Sequence, residues 1–228
     1  VLPNERFLYF GDSANAPYGS RSTPEVRQLT LAAADHLIRK YPVKALVIAC
    51  NTATSAAARE LREQYDLPII GMEPALKPAS LLHRDGYVLS LATPGTIKGE
   101  KYQQLLEKYG EGVESLPCPG MMEFVEKGEV DSPALHAFLD ELFAPYQDNQ
   151  PEAIVLGCTH YVFLKKAIGA HFPGVPLIDG NEGTVRQLKH KLEERGILAV
   201  GNQGGVRFLS SGDTDAVKLM EKLLNSEE

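Results

Sequence analysis

The chain has 228 residues, 43% apolar and 23% charged, enough to bury a substantial core as one large domain or two small ones. A net charge of −7, a pI near 5.4 and scattered basic residues exclude a nucleic-acid surface and an acidic-lipid surface. No apolar stretch approaches about 18 residues, no basic-then-apolar leader opens the chain, and three cysteines are too few for a disulfide framework, so the reading is a cytoplasmic protein.

From Val1 the chain runs almost at once into an apolar segment, the first predicted strand at 7–10. A turn by composition follows at Pro17-Tyr18-Gly19-Ser20. Ser22-Thr23-Pro24-Glu25 then has the spacing of a capping box with Pro in the first turn, and Val26, Leu29, Ala33 and Leu37 recur at helical spacing. Further strands are predicted at 45–49, 68–71, 87–91, 113–116, 153–157, 175–178 and 206–209, with helices between them. This alternation means α/β architecture with parallel sheets covered by helices. Gly180 and the stretch 201–205 are the expected flexible points.

The segment Ala45-Leu46-Val47-Ile48-Ala49-Cys50 looks like a copy of Ala153-Ile154-Val155-Leu156-Gly157-Cys158. The 108-residue offset that relates the two cysteines also carries Pro68 onto Pro176. Each unit therefore reads strand, Cys, helix, Pro, strand. The duplication predicts two pseudo-symmetric, mostly parallel open sheets with a cleft between domains: 1–72 plus 180–228, and 73–179.

Ligands of open parallel sheets bind outside the carboxyl ends of the strands. Those ends hold Gly11-Asp12-Ser13, Cys50-Asn51-Thr52, Thr93-Pro94-Gly95-Thr96, Cys158-Thr159-His160, Asp179 and Ser210-Ser211-Gly212-Asp213. None carries Arg or Lys, so carboxylates there would rest on helix N–H groups and hydroxyls. Alone, either Cys50 or Cys158 reads as a small apolar residue at a strand end. Two thiols at equivalent points of a repeat can instead stand on opposite sides of one cleft, an arrangement suited to moving a proton from one face of a carbon to the other. A helix N-terminus is expected to lower a thiol's pKa. His160 is either a backbone-capped helix-start histidine or a proton partner of Cys158. Cys118, between two prolines, is expected to be structural. No metal-ligand spacing and no phosphate-binding glycine motif occurs.

Taken together, Gly11-Asp12, Pro17-Tyr18-Gly19, Ala49-Cys50-Asn51-Thr52-Ala53, Ala92-Thr93 with Gly95-Thr96, Gly157-Cys158-Thr159-His160-Tyr161 and Ser211-Gly212-Asp213 resemble the glutamate racemases of the aspartate/glutamate racemase superfamily. The resemblance spans nearly the whole chain. It implies cofactor-independent racemisation of L- and D-glutamate, with no metal. In related enzymes the first Cys acts on the D-isomer and the second on the L-isomer, so it implies those roles for Cys50 and Cys158, with His160 assisting the second. It implies substrate contacts at Pro17, Tyr18, Gly19, Ser20, Asn51, Thr52, Thr93, Thr96 and Thr159. It implies a bacterial homodimer making D-glutamate for peptidoglycan.

Three departures stand out. The family's first strand, ending Asp-Ser-Gly-x-Gly-Gly, has no match before Phe7, and Asp12 belongs to a later turn. Val162-Phe163-Leu164 stands where Pro-Leu-Leu is usual, and Met121-Met122-Glu123-Phe124 replaces a more aliphatic stretch. The first departure motivates an alternative, an amino-acid-binding homologue impaired in catalysis. A Cys158–His160 hydrolase is a third reading, which leaves Cys50 unexplained.

Overall fold

The computed structural model describes residues 1–82, 85–201 and 204–225. Asn202 and Gln203, inside one of the expected flexible stretches, lie outside the described residues. In chain order the first half comprises β1 (Arg6–Gly11), α1 (Thr23–Lys40), β2 (Leu46–Ile48), α2 (Asn51–Gln64) and β3 (Ile69–Gly71). Next come α3 (Leu76–Ser80), β4 (Val88–Ala92), α4 (Pro94–Lys98), α5 (Glu100–Tyr109), β5 (Val113–Pro117), α6 (Met121–Glu126) and α7 (Pro133–Phe143). They are followed by β6 (Ala153–Leu156), a 3₁₀ segment (Thr159–Leu164), α8 (Lys165–His171) and β7 (Leu177–Ile178). The chain closes with α9 (Asn181–Glu194), β8 (Gly205–Ser210) and α10 (Thr214–Asn225).

Every strand pairing among the described residues is parallel. The second half forms one sheet in the order β5-β4-β6-β7. The first half differs from a single sheet: it comes as two pairs, β1-β8 and β2-β3. Both pairs lie against the same helices, because Leu8, Phe10 and Leu209 join Leu46, Ile48 and Ile69 in one core with Val26, Leu37, Ala57 and Leu61.

The repeat holds at the level of hydrogen-bond register. Leu46 pairs Ile69 and Val47 pairs Ile70; at an offset of 108 residues, Ile154 pairs Leu177 and Val155 pairs Ile178. Strand alternation distributes side chains to both faces. In β4 and β6, Leu89, Leu91, Ile154 and Leu156 face a core with α6 and α7, while Val88, Ala153 and Val155 face α3 and α5. In β2 and β3, Val47 and Ile70 turn instead to Leu188 and Leu192 of α9. Each unit is thus a sheet with helices on both sides, as near-continuous apolar strands require.

Two local expectations are corrected. The first helix begins as expected after Ser22, whose backbone N–H and hydroxyl both donate to Glu25 (3.0 and 2.5 Å). Its buried stripe, however, is Val26, Thr30, Ala34 and Leu37, with Leu29 and Ala33 only half-buried. Thr30 fits because its hydroxyl donates to the Val26 carbonyl at 2.7 Å. The second correction concerns Cys158, which opens a 3₁₀ segment before α8 rather than an α-helix. Tyr161 and Val162 there are poor helix formers held by burial, whereas α2 starts on alanine-rich sequence.

Candidate active site

Cys50 and Cys158 stand at the carboxyl ends of β2 and β6, both in extended backbone. Cys50 is the N-cap of α2, its Sγ accepting the Ala53 N–H at 3.5 Å. Cys158 follows Gly157, where a Cβ would sit 2.7 Å from the Leu91 carbonyl; only glycine lets β6 run this close to β4. Asn51 ties the two cysteine turns together, its Nδ2 donating to the Gly157 carbonyl at 2.6 Å across 106 residues of sequence. Its Oδ1 is buried and has no protein partner. The thiols are near enough for charge on Cys158 to disfavour charge on Cys50.

Thr52, Thr93 and Thr96 are all buried and form a triangle of hydroxyls with Oγ1 separations of 3.0–3.2 Å. The triangle joins the start of α2 to the β4–α4 turn. Thr93 also caps α4, accepting the Thr96 N–H at 3.1 Å. A second bridge runs from Gly95 N–H to the Gly19 carbonyl (3.0 Å). Gly19 is buried against Thr93, with no room for a Cβ. Pro17 and Tyr18 are half-buried before it, and Ser20 is exposed beyond it. Thr159 is half-buried beside Cys158.

Asp12 fixes this loop. Its carboxylate accepts from Tyr18 (2.5 Å), Ser211 (2.5 Å) and Asn15 (2.9 Å). Burial alone would raise the Asp12 pKa, but these donors outweigh it and hold it below the usual carboxylate range. Burial and the Asp12 carboxylate together push the Tyr18 phenol far up, so Tyr18 stays a neutral donor. The sequence pointed to the Gly-Asp turn without showing this job.

The structure brings His160 to Cys158, with Nδ1 3.9 Å from Sγ. On its other side, Nε2 lies 2.6 Å from Oε1 of Glu126, the last residue of α6. Glu126 was missed by sequence reasoning: it sits 34 residues away, and no local pattern sets it apart. Burial works against a charged imidazole, yet the hydrogen bonds and charges of Cys158 and Glu126 push His160 up to about 10. Glu126 is correspondingly held below its usual range by the His160 hydrogen bond. The helix-start donors Ala53 and Thr52 do pull the thiol of the half-buried Cys50 down, but desolvation outweighs them and pushes it up to about 11. Cys118 is buried, its S–H donating to the Leu116 carbonyl at 3.3 Å. Among the described residues, no three or more His, Cys, Asp or Glu are grouped to hold a metal.

With this geometry in place, comparison with known proteins is decisive. The model of the Asp/Glu/hydantoin racemase family matches residues 2–188. The chain belongs to this family. It is 48% identical to the glutamate racemase of Clostridium perfringens, over 98% of this chain and 88% of that protein. It superimposes on a glutamate racemase isoform of Bacillus anthracis with a TM-score of 0.86 at 30% identity, covering 98% and 86% of the two chains. The Escherichia coli glutamate racemase, solved with L-glutamate and the activator UDP-MurNAc-Ala, gives 0.85 at 27% identity, covering 98% and 86%.

The paired cysteine turns bring two thiols, three hydroxyls and an imidazole–carboxylate pair into one region. A cavity of about 1240 Å³ lies elsewhere, lined by Arg62, Lys77, Lys101, Lys108 and Arg186 among others and by neither thiol. No helix among the described residues is long and apolar enough to cross a membrane.

Proposed function

We propose that this chain is a glutamate racemase that interconverts L- and D-glutamate through two thiols, Cys50 and Cys158. The observation that carries the proposal is the register-matched repeat, which places a thiol at the same point of each unit, with the two turns bonded through Asn51.

The α-hydrogen of an amino acid is a weak acid, so its removal needs a strong base and a neutralised carboxylate. A thiol with a pKa of about 11 is rarely ionised at neutral pH, but once ionised it is a better base than a low-pKa thiolate. From D-glutamate, the Cys50 thiolate takes the α-proton and becomes a thiol. The electron pair left on carbon takes a proton from the Cys158 thiol on the opposite face, giving L-glutamate and a Cys158 thiolate. His160, protonated and fixed by Glu126, returns a proton to Cys158, and exchange with water then removes the proton from Cys50 and restores the one on His160. The L-to-D direction runs the same steps backwards.

The hydroxyls of Thr52, Thr93 and Thr96 would hold a substrate carboxylate without a cationic side chain. The unpartnered Asn51 Oδ1 suits a substrate ammonium. Tyr18, Gly19 and Ser20, with Pro17, would rim the site, and Thr159 would contact substrate beside Cys158. We further propose two α/β domains, 1–72 with 180–228 and 73–179. In support, the two crossing points touch: a Cβ on Gly180 would lie 2.6 Å from the Glu73 carbonyl. A cytoplasmic homodimer serving bacterial cell-wall synthesis completes the reading.

Circular dichroism of each glutamate isomer incubated with the protein alone tests it. Optical activity should vanish from both. Cys50→Ser and Cys158→Ser should each lose about 10²–10⁴-fold in both directions, because every turnover needs both groups. Binding of glutamate without racemisation would establish the impaired-homologue alternative, and normal turnover by either variant would sink the two-thiol mechanism.

A further inference from the structure

α10 has no buried residue of its own, yet it touches both halves of the molecule. Met220 Cε occupies the place a Cβ on Gly11 would take, at the end of β1 and next to Asp12. The adjacent Leu219 reaches the other half, its Cδ1 3.4 Å from where a Cβ on Gly128 would sit. Leu223, one turn later, packs against the core that contains Met121, Met122, Val125 and Cys158.

Gly128 is not an arbitrary contact. With φ of +72° it is the left-handed residue that closes α6, its N–H donating to the Val125 carbonyl at 2.9 Å. The neighbouring Lys127 and Glu129 N–H groups bond back to Glu123 and Phe124. α6 is only six residues long, too short to hold its own shape. Its final residue carries the carboxylate that orients His160. Whatever supports the closing turn of α6 therefore supports the Cys158 side of the site.

We propose that Leu219 and Leu223 are positioning residues for the Glu126–His160 pair, so that these two side chains of α10 serve proton transfer at Cys158. The inference rests on the roles proposed above for the two thiols. It has a constrained signature. The equilibrium constant of a racemisation is one, so kcat/KM must stay equal in the two directions whatever the variant. The defect shows instead in which proton transfer limits the rate.

The test uses glutamate deuterated at the α-carbon and the full chain carrying Leu219→Ala with Leu223→Ala. We expect kcat/KM to fall about 10–100-fold, equally for both isomers. The isotope effect should rise with L-glutamate, whose proton Cys158 removes, and fall with D-glutamate, whose proton Cys50 removes. Glu126→Gln should show the same split, and Leu224→Ala, on the exposed side of α10, should leave both isotope effects unchanged. If the double variant does not fold, the milder Leu219→Val is expected to show the same split at smaller amplitude. Unchanged kinetics, or isotope effects that move in parallel, would overturn the proposal while Cys158→Ser loses activity as expected. If Cys158→Ser retains full activity, the two-thiol reading itself fails.

Discussion

Cys50 and Cys158 are the same residue in the same strand-end position, yet their surroundings differ. Cys50 relies on backbone and hydroxyl donors at a helix start, while Cys158 has an imidazole backed by a carboxylate. The second arrangement has a pH signature. The pKa of His160 is raised from an ordinary 6.5 to about 10, so folding tightens its hold on a proton. The resulting stabilisation is fully present below pH 6.5 and is lost as pH rises through 10. Glu126, held below its usual range, contributes above its ordinary value of 4.5 and loses that contribution as pH falls. Urea unfolding of His160→Asn should therefore show its largest deficit between about pH 5 and 6.5, closing as pH approaches 10. A deficit independent of pH would mean that His160 acts through packing alone. The cysteines, threonines and Asn51 were legible because they follow apolar strands directly. Glu126 and the work of Asp12 were not, since their partners come from remote elements and only the fold selects them. The raised Cys50 pKa was likewise illegible: helix-start chemistry can be read in sequence, but the burial that outweighs it cannot.

At the scale of elements, the site is assembled from turns that contain glycine because backbones must meet. Gly95 shows this most clearly. Its N–H donates to the Gly19 carbonyl, and a Cβ there would lie 2.8 Å from that oxygen. Gly95→Ala should push the Tyr18 loop off the threonine triangle, raising the KM for glutamate about tenfold with a smaller fall in kcat. Steady-state kinetics checks it, and an unchanged KM would show that the loop does not contact substrate. All eight strands among the described residues were readable from apolar runs and turn residues. The pairing of β1 with β8, nearly 200 residues apart in sequence, was not, because parallel partners leave no local mark. The first helix was readable in extent but not in face, since Thr30 is buried by bonding its own helix.

Over the whole molecule, duplication is the organising fact. The 108-residue offset visible in the sequence reappears as identical strand register, so both thiol turns inherit one geometry. The copies then diverge around it: α2 begins as a regular helix behind Cys50, while a 3₁₀ segment behind Cys158 carries His160 toward Glu126. Bonds from Asn51, the threonine triangle and Gly95 hold the turns together. The proposed pair of opposed thiols makes a claim about labelling that a single base cannot imitate. Each glutamate isomer should be incubated with the protein in deuterium oxide and sampled at low conversion. The account expects α-deuterium in nearly all of the inverted product and almost none in the recovered substrate, because one thiol keeps the hydrogen it removed while the other delivers deuterium. Deuterium appearing as fast in recovered substrate as in product, or substrate hydrogen carried over into product, would contradict it.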